Sequence, residues 1–276
     1  MQKLFNNILV PVTAGNANHS IEKSIEFANQ LQCHVHLVGV DSTPVIPLLK
    51  TTWVRRQTRA RKTAEQKDRL SSLENKYGNE LEKGLRLSTH ATNGNAEEAL
   101  ASFISLHEID LVLIDGERNG FPFLKNGINA SRLAARVNCP VLYLQSHPAL
   151  NDLKIIVMPV GRSLPINKIR VAAYLAKLYC ASIHLVTREK NGLMYEELAY
   201  MQKALQVLKD NTDLPVKCKT LSGESLGDIA LQYAHEVHAG LILINPGQES
   251  FLPGMINRIF SRFVFNESKI PVMMVV

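Results

Sequence analysis

Short apolar runs alternate along this chain with longer stripes at helical spacing. Ile8 to Val12 is a β-branched run, followed by the turn Thr13-Ala14-Gly15-Asn16. Ile21, Ile25, Ala28 and Leu31 then fall on one helical face. Val35 to Val40 is the next run, and Pro44 and Pro47 mark a loop. A long polar helix is predicted from Trp53 to Tyr77, with Gly78 as its stop signal. Leu85 to Thr89 alternates as a strand. Asn93-Gly94-Asn95 is a turn, and Asn95 is the N-cap of an amphipathic helix in which Ala96, Ala99, Leu100, Phe103, Ile104 and His107 follow at helical spacing. Leu111 to Ile114 is a short buried run, and Gly116, Gly120 and Gly127 punctuate the loop after it. Ala130 to Arg136 is a short helical pattern. Asn138-Cys139-Pro140 stops it, and Val141 to Leu144 is a further strand. The alternation of strand and helix predicts an open, doubly wound parallel sheet.

The pattern then repeats. ILVPV at Ile8 to Val12 returns as IVMPV at Ile156 to Val160, 148 residues on. Cys33 to Val38 returns as Ala181 to Val186 at the same offset. The amphipathic helix returns as Leu226, Ile229, Ala230, Tyr233, Ala234 and Val237, at an offset of 130. Leu111 to Ile114 becomes Leu241 to Ile244, and Pro140-Val141 becomes Pro271-Val272. The second copy is the shorter, with a helix at Leu193 to Asp210 where the first has its long basic helix. The expected domains are therefore 1–147 and 152–276, joined by a turn containing Pro148 and Asn151.

The 276 residues are 46% hydrophobic and 20% charged, an ordinary globular balance with ample material for a core. No run of 18 apolar residues occurs, so no membrane span is expected. The opening MQKLFNNILVPV is too poor in apolar residues for a signal peptide, which implies a cytoplasmic protein. Cys33, Cys139, Cys180 and Cys218 are scattered without a CxxC, so reduced thiols are expected rather than a metal site. The net charge of +6 favours anionic partners. Much of it lies in one helix, at Arg55, Arg56, Arg59, Arg61, Lys62, Lys67 and Arg69, where a solvated face accounts for it. The lack of interleaved aromatics disfavours a nucleic-acid platform.

No P-loop and no G-x-S-x-G elbow is present. His34, His36 and His184 read as core or sheet-end histidines, and His107, His235 and His238 as residues that cap helix carbonyls. Glu97-Glu98 and Glu196-Glu197 sit at helix starts, where the macrodipole favours acidic residues. No catalytic group is expected, and no enzymatic activity. Ile259, Phe260, Phe263 and Val264 form an apolar stripe in a short helix predicted at 256–265.

Taken together, ILVPV, HVHLVGV, EEALASFISLHEIDLVLIDG and NCPVLYL, in this order and duplicated, resemble the universal stress protein family over almost the whole chain. The resemblance implies an α/β fold of two tandem five-stranded parallel sheets with helices on both faces, of the adenine-nucleotide alpha-hydrolase-like kind. It implies that the halves pack as an intrachain pseudo-dimer through Val141–Leu144 and Met273–Val276, with further homo-oligomers possible. Nucleotide-binding members carry an Asp after the first strand; here Thr13 and Gly161 stand there. They also carry G-x2-G-x9-G-[ST]; here Gly116, Gly120 and Gly127 are spaced G-x3-G-x6-G, and Ile128 replaces the hydroxyl residue. The second half offers Gly247 and Gly254, with Arg258 at the matching helix start. That Arg is placed to pair with a phosphate, to fill the vacated pocket, or to face solvent. Thr13, Val40, Gly116, Gly120, Gly127, Gly161, Gly247, Gly254 and Arg258 are the degenerate nucleotide-binding candidates. The expectation is a stress-response binding or interaction protein without a firm cofactor. The alternative is a modified nucleotide or small-anion site in the first half, with weak ATPase activity as its enzymatic form.

Overall fold

A computed structural model describes residues 3–13, 18–41, 52–116, 128, 130–145, 153–189, 194–223, 225–245 and 270–276. The turn expected at 147–152 and the helix expected at 256–265 lie outside these residues. The chain divides into two compact units, Met1–Val137 and Asn138–Val276.

The first unit runs β1 (Asn7–Val12), α1 (Asn18–Leu31), β2 (His34–Asp41), α2 (Thr52–Tyr77), β3 (Leu87–Asn93), α3 (Ala96–Leu106), β4 (Leu111–Gly116) and α4 (Ala130–Arg136). Its strands lie in the order β3-β2-β1-β4, with parallel pairing. Ile8, Leu9, Val35, Leu37, Leu111 and Val112 are fully buried, as expected of central parallel strands covered on both faces. Asp110 fixes the start of β4 against β1, its Oδ2 accepting from the backbone N–H of Asn6 and Asn7 at 2.8 and 3.1 Å.

The second unit contains β5 (Val141–Gln145), β6 (Ile155–Pro159), α5 (Ile166–Tyr179), β7 (Ser182–Glu189), α6 (Met194–Asn211), β8 (Val216–Ser222), α7 (Leu226–Glu236), β9 (Leu241–Ile244) and β10 (Val272–Met274). The order is β5-β10-β9-β6-β7-β8, parallel except where β10 meets β5. There Val272, Met273 and Met274 lie opposite Tyr143, Leu142 and Val141. The sequence β9-β6-β7-β8 reproduces β4-β1-β2-β3.

The repeat reaches into the turns. Helices α1 and α5 both end on a residue other than glycine in the left-handed region, Gln32 at φ 58° and Cys180 at φ 52°. Each ending is closed by the same bond, Cys33 N to Ala28 O and Ala181 N to Ala176 O, both 2.8 Å. After α3 and α7 the left-handed residues are Glu108 and His238. Both of these helices start on a side-chain cap. Asn95 accepts from the N–H groups of Glu97 and Glu98, and Ser225 from that of Asp228.

Two expectations are corrected. The strand predicted at Leu85 to Thr89 runs instead from Leu87 to Asn93. Its pairing with β2 continues from Val35↔Leu87 to Asp41↔Asn93, and Thr92 Oγ1 donates to Gly39 O at 2.9 Å. This is an edge strand of polar residues, which a search for apolar runs stops short of. The ring of His107 stacks on Phe103 with centroids 4.0 Å apart. It is the backbone N–H of His107 that caps α3, by donating to Phe103 O.

Candidate functional site

In a doubly wound sheet the ligand crevice opens beyond the carboxyl ends of the strands, where the strand order reverses. In the first unit that point lies between β1 and β4. Thr13 follows β1 and is buried, as is Val40 in β2. Gly116 ends β4, and Ile128 is buried ahead of α4. Thr13 and Gly116 thus stand at the ends of two neighbouring strands. Gly120 and Gly127 lie outside the described residues.

In the second unit the reversal lies between β6 and β9. Gly161 follows β6 and is partly exposed, and Asn245 follows β9 and is buried. Gly247, Gly254 and Arg258 lie outside the described residues. The repeat offset of 148 carries Val40 onto Arg188, near the end of β7. An apolar residue at this position in one unit is an arginine in the other. Arg188 is buried and its Nη2 lies 3.5 Å from Oε1 of Glu197, itself buried in the first turn of α6. The same oxygen lies 3.6 Å from Nε of Arg162, which follows Gly161 and is half exposed.

One carboxylate therefore bridges two guanidinium groups at the carboxyl end of this sheet. Beside β6, Lys168 of α5 is 2% exposed and its Nζ donates to Pro159 O at 2.6 Å. Thr187 Oγ1 donates to Val160 O at 3.1 Å. Glu197 serves more than the helix dipole: it neutralises buried positive charge, without which Arg188 is costly to desolvate. Arg162, Lys168 and Arg188 escaped the motif reading, and Glu197 was read only as an acidic residue at a helix start. Carrying Val40 along the 148-residue offset was the available signal for Arg188; the partnership with Glu197 required the fold.

His184 and the His36–His90 pair lie on a helix-covered face of their sheets. His184 is buried; its Nδ1 lies 3.0 Å from Tyr233 Oη and its Nε2 3.3 Å from Ser182 Oγ. His36 and His90 approach each other on the equivalent face of the first unit, Nδ1 to Nε2 3.3 Å. Among the described residues no three His, Cys, Asp or Glu side chains are grouped so as to hold a metal ion, and no helix is long and apolar enough to cross a membrane. Cys33 and Cys139 are buried free thiols, and Cys180 and Cys218 exposed ones. Burial pushes the Cys33 thiol up to about 12, where thiolate chemistry is suppressed.

A search of curated proteins finds no match. Among solved structures, a universal stress protein from Archaeoglobus fulgidus DSM 4304 superposes with a TM-score of 0.73 at 13% identity, over 98% of this chain and 96% of that one. A putative universal stress protein from Pseudomonas aeruginosa UCBPP-PA14 gives 0.62 at 15% identity, covering 99% and 94%. The cytoplasmic domain of a prokaryotic cation chloride cotransporter gives 0.50 at 14% identity, covering 98% and 95%. At these identities the likeness is one of fold. The family model described as "Universal stress protein family" matches residues 4–145. With that match and the duplicated α/β architecture, the chain belongs to the universal stress protein family.

Proposed function

We propose that this chain is a tandem universal stress protein of the cytoplasm that acts in the stress response by binding rather than by catalysis, with degenerate nucleotide sites in both halves. The observation that carries this reading is the Arg162–Glu197–Arg188 bridge, which puts buried charge at the position that Val40 holds in the other unit. With Glu197 shared between two guanidinium groups, Arg188 is committed to an internal bridge at this end of the sheet. The first half supports the same reading: Thr13 lacks the carboxylate, and Ile128 the hydroxyl, that nucleotide-binding relatives carry at these places. We extend the proposal to the pairing of the two sequence repeats through Val141–Leu144 and Met273–Val276, a reading supported by the antiparallel register of β5 with β10.

Calorimetric titration with ATP, ADP and AMP tests the loss of nucleotide binding. No saturable heat at micromolar ligand is expected; micromolar ATP binding overturns the reading. A second reading, a small-anion or modified nucleotide site in the first half, is favoured by one observation: Thr13 is a buried polar residue at the strand reversal. Under that reading ATP or inorganic phosphate binds, and the Thr13→Val variant binds at least tenfold more weakly.

A further inference from the structure

The two units differ most plainly in the histidines beneath α3 and α7. His36 on β2 and His90 on β3 stand 3.3 Å apart at Nδ1 and Nε2, and the ring of His107 at the end of α3 lies 5.2 Å from His90 and 6.2 Å from His36 between centroids. Phe103 covers this group from the helix, 4.7 Å from His90 and 6.1 Å from His36 between centroids. The repeat offset carries His36 onto His184, but Phe103 becomes Tyr233 and His107 becomes Val237. By strand register, His90 becomes Lys219.

The geometry points to an acid-sensitive latch in the first unit: the His36–His90 pair, packed against Phe103 and His107 at the end of α3, ties edge strand β3 and that helix end to β2, and protonation of the pair releases them. The physical argument starts with the hydrogen bond. An imidazole pair shares one only while at least one of the facing nitrogens is bare; once both rings are imidazolium, both nitrogens donate and neither accepts. Strand β3 is the first in its sheet order, with β2 as its only strand partner among the described residues, so loss of the His36–His90 bond acts on the strand least held by others.

Charges near the group offer little relief. His34, on β2, and His90 and His107 all push protonation of His36 downward, after the larger effect of burial. On His90, burial and His107 push downward, and Glu74 of α2 pulls upward. Glu74 is also occupied, its Oε2 accepting from Thr89 Oγ1 at 2.6 Å. β1 presents Leu9 beside His36, with no charge. His36 is lowered to about 4 in the folded chain, from 6.5. The opened segment therefore takes up protons as pH falls below 6.5, while the closed one resists until about 4. Stability is complete above that window and lost through it. For each extra proton bound on opening, the opening constant grows about tenfold per pH unit. His36 and His90 together give a steeper dependence than the single His184 of the second unit, which burial, Lys217 and Lys219 also push downward.

Hydrogen exchange of the full chain at pH 7.5, 6.0 and 5.0, corrected for the intrinsic rate at each pH, tests the latch. Segments 87–93 and 96–107 are expected to lose protection by more than tenfold per pH unit between 6.0 and 5.0, and segments 216–222 and 226–236 by tenfold or less. Equal slopes in the two units overturn the inference. His90→Gln removes one of the two titrating groups and is expected to flatten the first unit's slope to that of the second; an unchanged slope overturns the inference. If the variant fails to fold, the histidine resonances of the wild-type chain decide. His36 titrating near 6.5 in the folded state refutes the latch, and titration well below that supports it. The outcome is independent of nucleotide binding.

Discussion

Val40 and Arg188 occupy one repeat position in two units that otherwise share strand order, helix endings and caps. His36 and His184 are a second such pair, identical in residue but set among different partners. The difference teaches where the duplicated scaffold is constrained. Backbone bonds recur at fixed offsets, since a strand or a helix ending that loses one leaves a buried polar group unsatisfied. Side chains at the carboxyl end of the sheet diverge even where they are buried, as Val40 and Arg188 both are. In the second unit that divergence has placed a charged bridge where the first keeps valine. Beneath the helices it has exchanged a tyrosine–histidine bond for a group of three imidazoles.

The most severe way to break this comparison is to remove the anion that makes Arg188 tolerable. Glu197→Ala leaves a buried guanidinium without this carboxylate, and the loss is expected to be about 3–5 kcal/mol. Urea unfolding of the full chain measures it. The paired change Arg188→Met with Glu197→Leu is expected to recover most of the loss, since an apolar pair of similar volume avoids the desolvation cost. Recovery would show that the second unit accepts an apolar residue here, as the first unit does at Val40. A double variant as unstable as the single one would show that the bridge organises the end of the sheet.

The next effect is smaller and concerns the helix-covered face. Tyr233→Phe gives the second unit the aromatic residue of the first and removes the 3.0 Å contact with His184. The expected cost is about 0.5–1.5 kcal/mol, the usual net value of one such bond. A loss well above that range would mean that the phenol also organises the contact of His184 with Ser182.

Much of this architecture was legible in the sequence. The runs at Ile8 to Val12 and Leu111 to Ile114, and the stripe from Ala96 to Ile104, specify buried strands and an amphipathic helix by periodicity alone. Their recurrence at offsets of 148 and 130 gave the duplication. The polar end of β3 was not legible, because an edge strand is specified by its partner's backbone and not by its own hydrophobicity. Nor was the bridge. Arg188 and Glu197 lie nine residues apart across a strand–helix connection, a spacing that fits no local motif, and only the packing of α6 against β7 brings them together. The same holds for His36 and His90, separated by 54 residues and joined by strand pairing.

The smallest expected effect tests the scaffold itself. Gln32 and Cys180 hold the same left-handed position at the ends of α1 and α5, a conformation that costs a residue with a Cβ roughly 1–2 kcal/mol relative to glycine. Glycine also raises the entropy of the unfolded chain, which takes back about 0.5–1 kcal/mol. Cys180 is exposed, so Cys180→Gly is expected to gain about 0.5 kcal/mol, a rise in melting temperature of about 1–2 °C. Gln32 differs. Its Nε2 donates to Asn29 O at 2.8 Å and to the Glu82 carboxylate, so Gln32→Gly loses those bonds along with the strain. Its stability is expected to stay level or fall slightly. A gain in both variants would mean that the Gln32 side-chain bonds contribute nothing. A loss in both would mean that neither ending is strained, and that the recurring left-handed residue is held at no cost by the bonds that close α1 and α5.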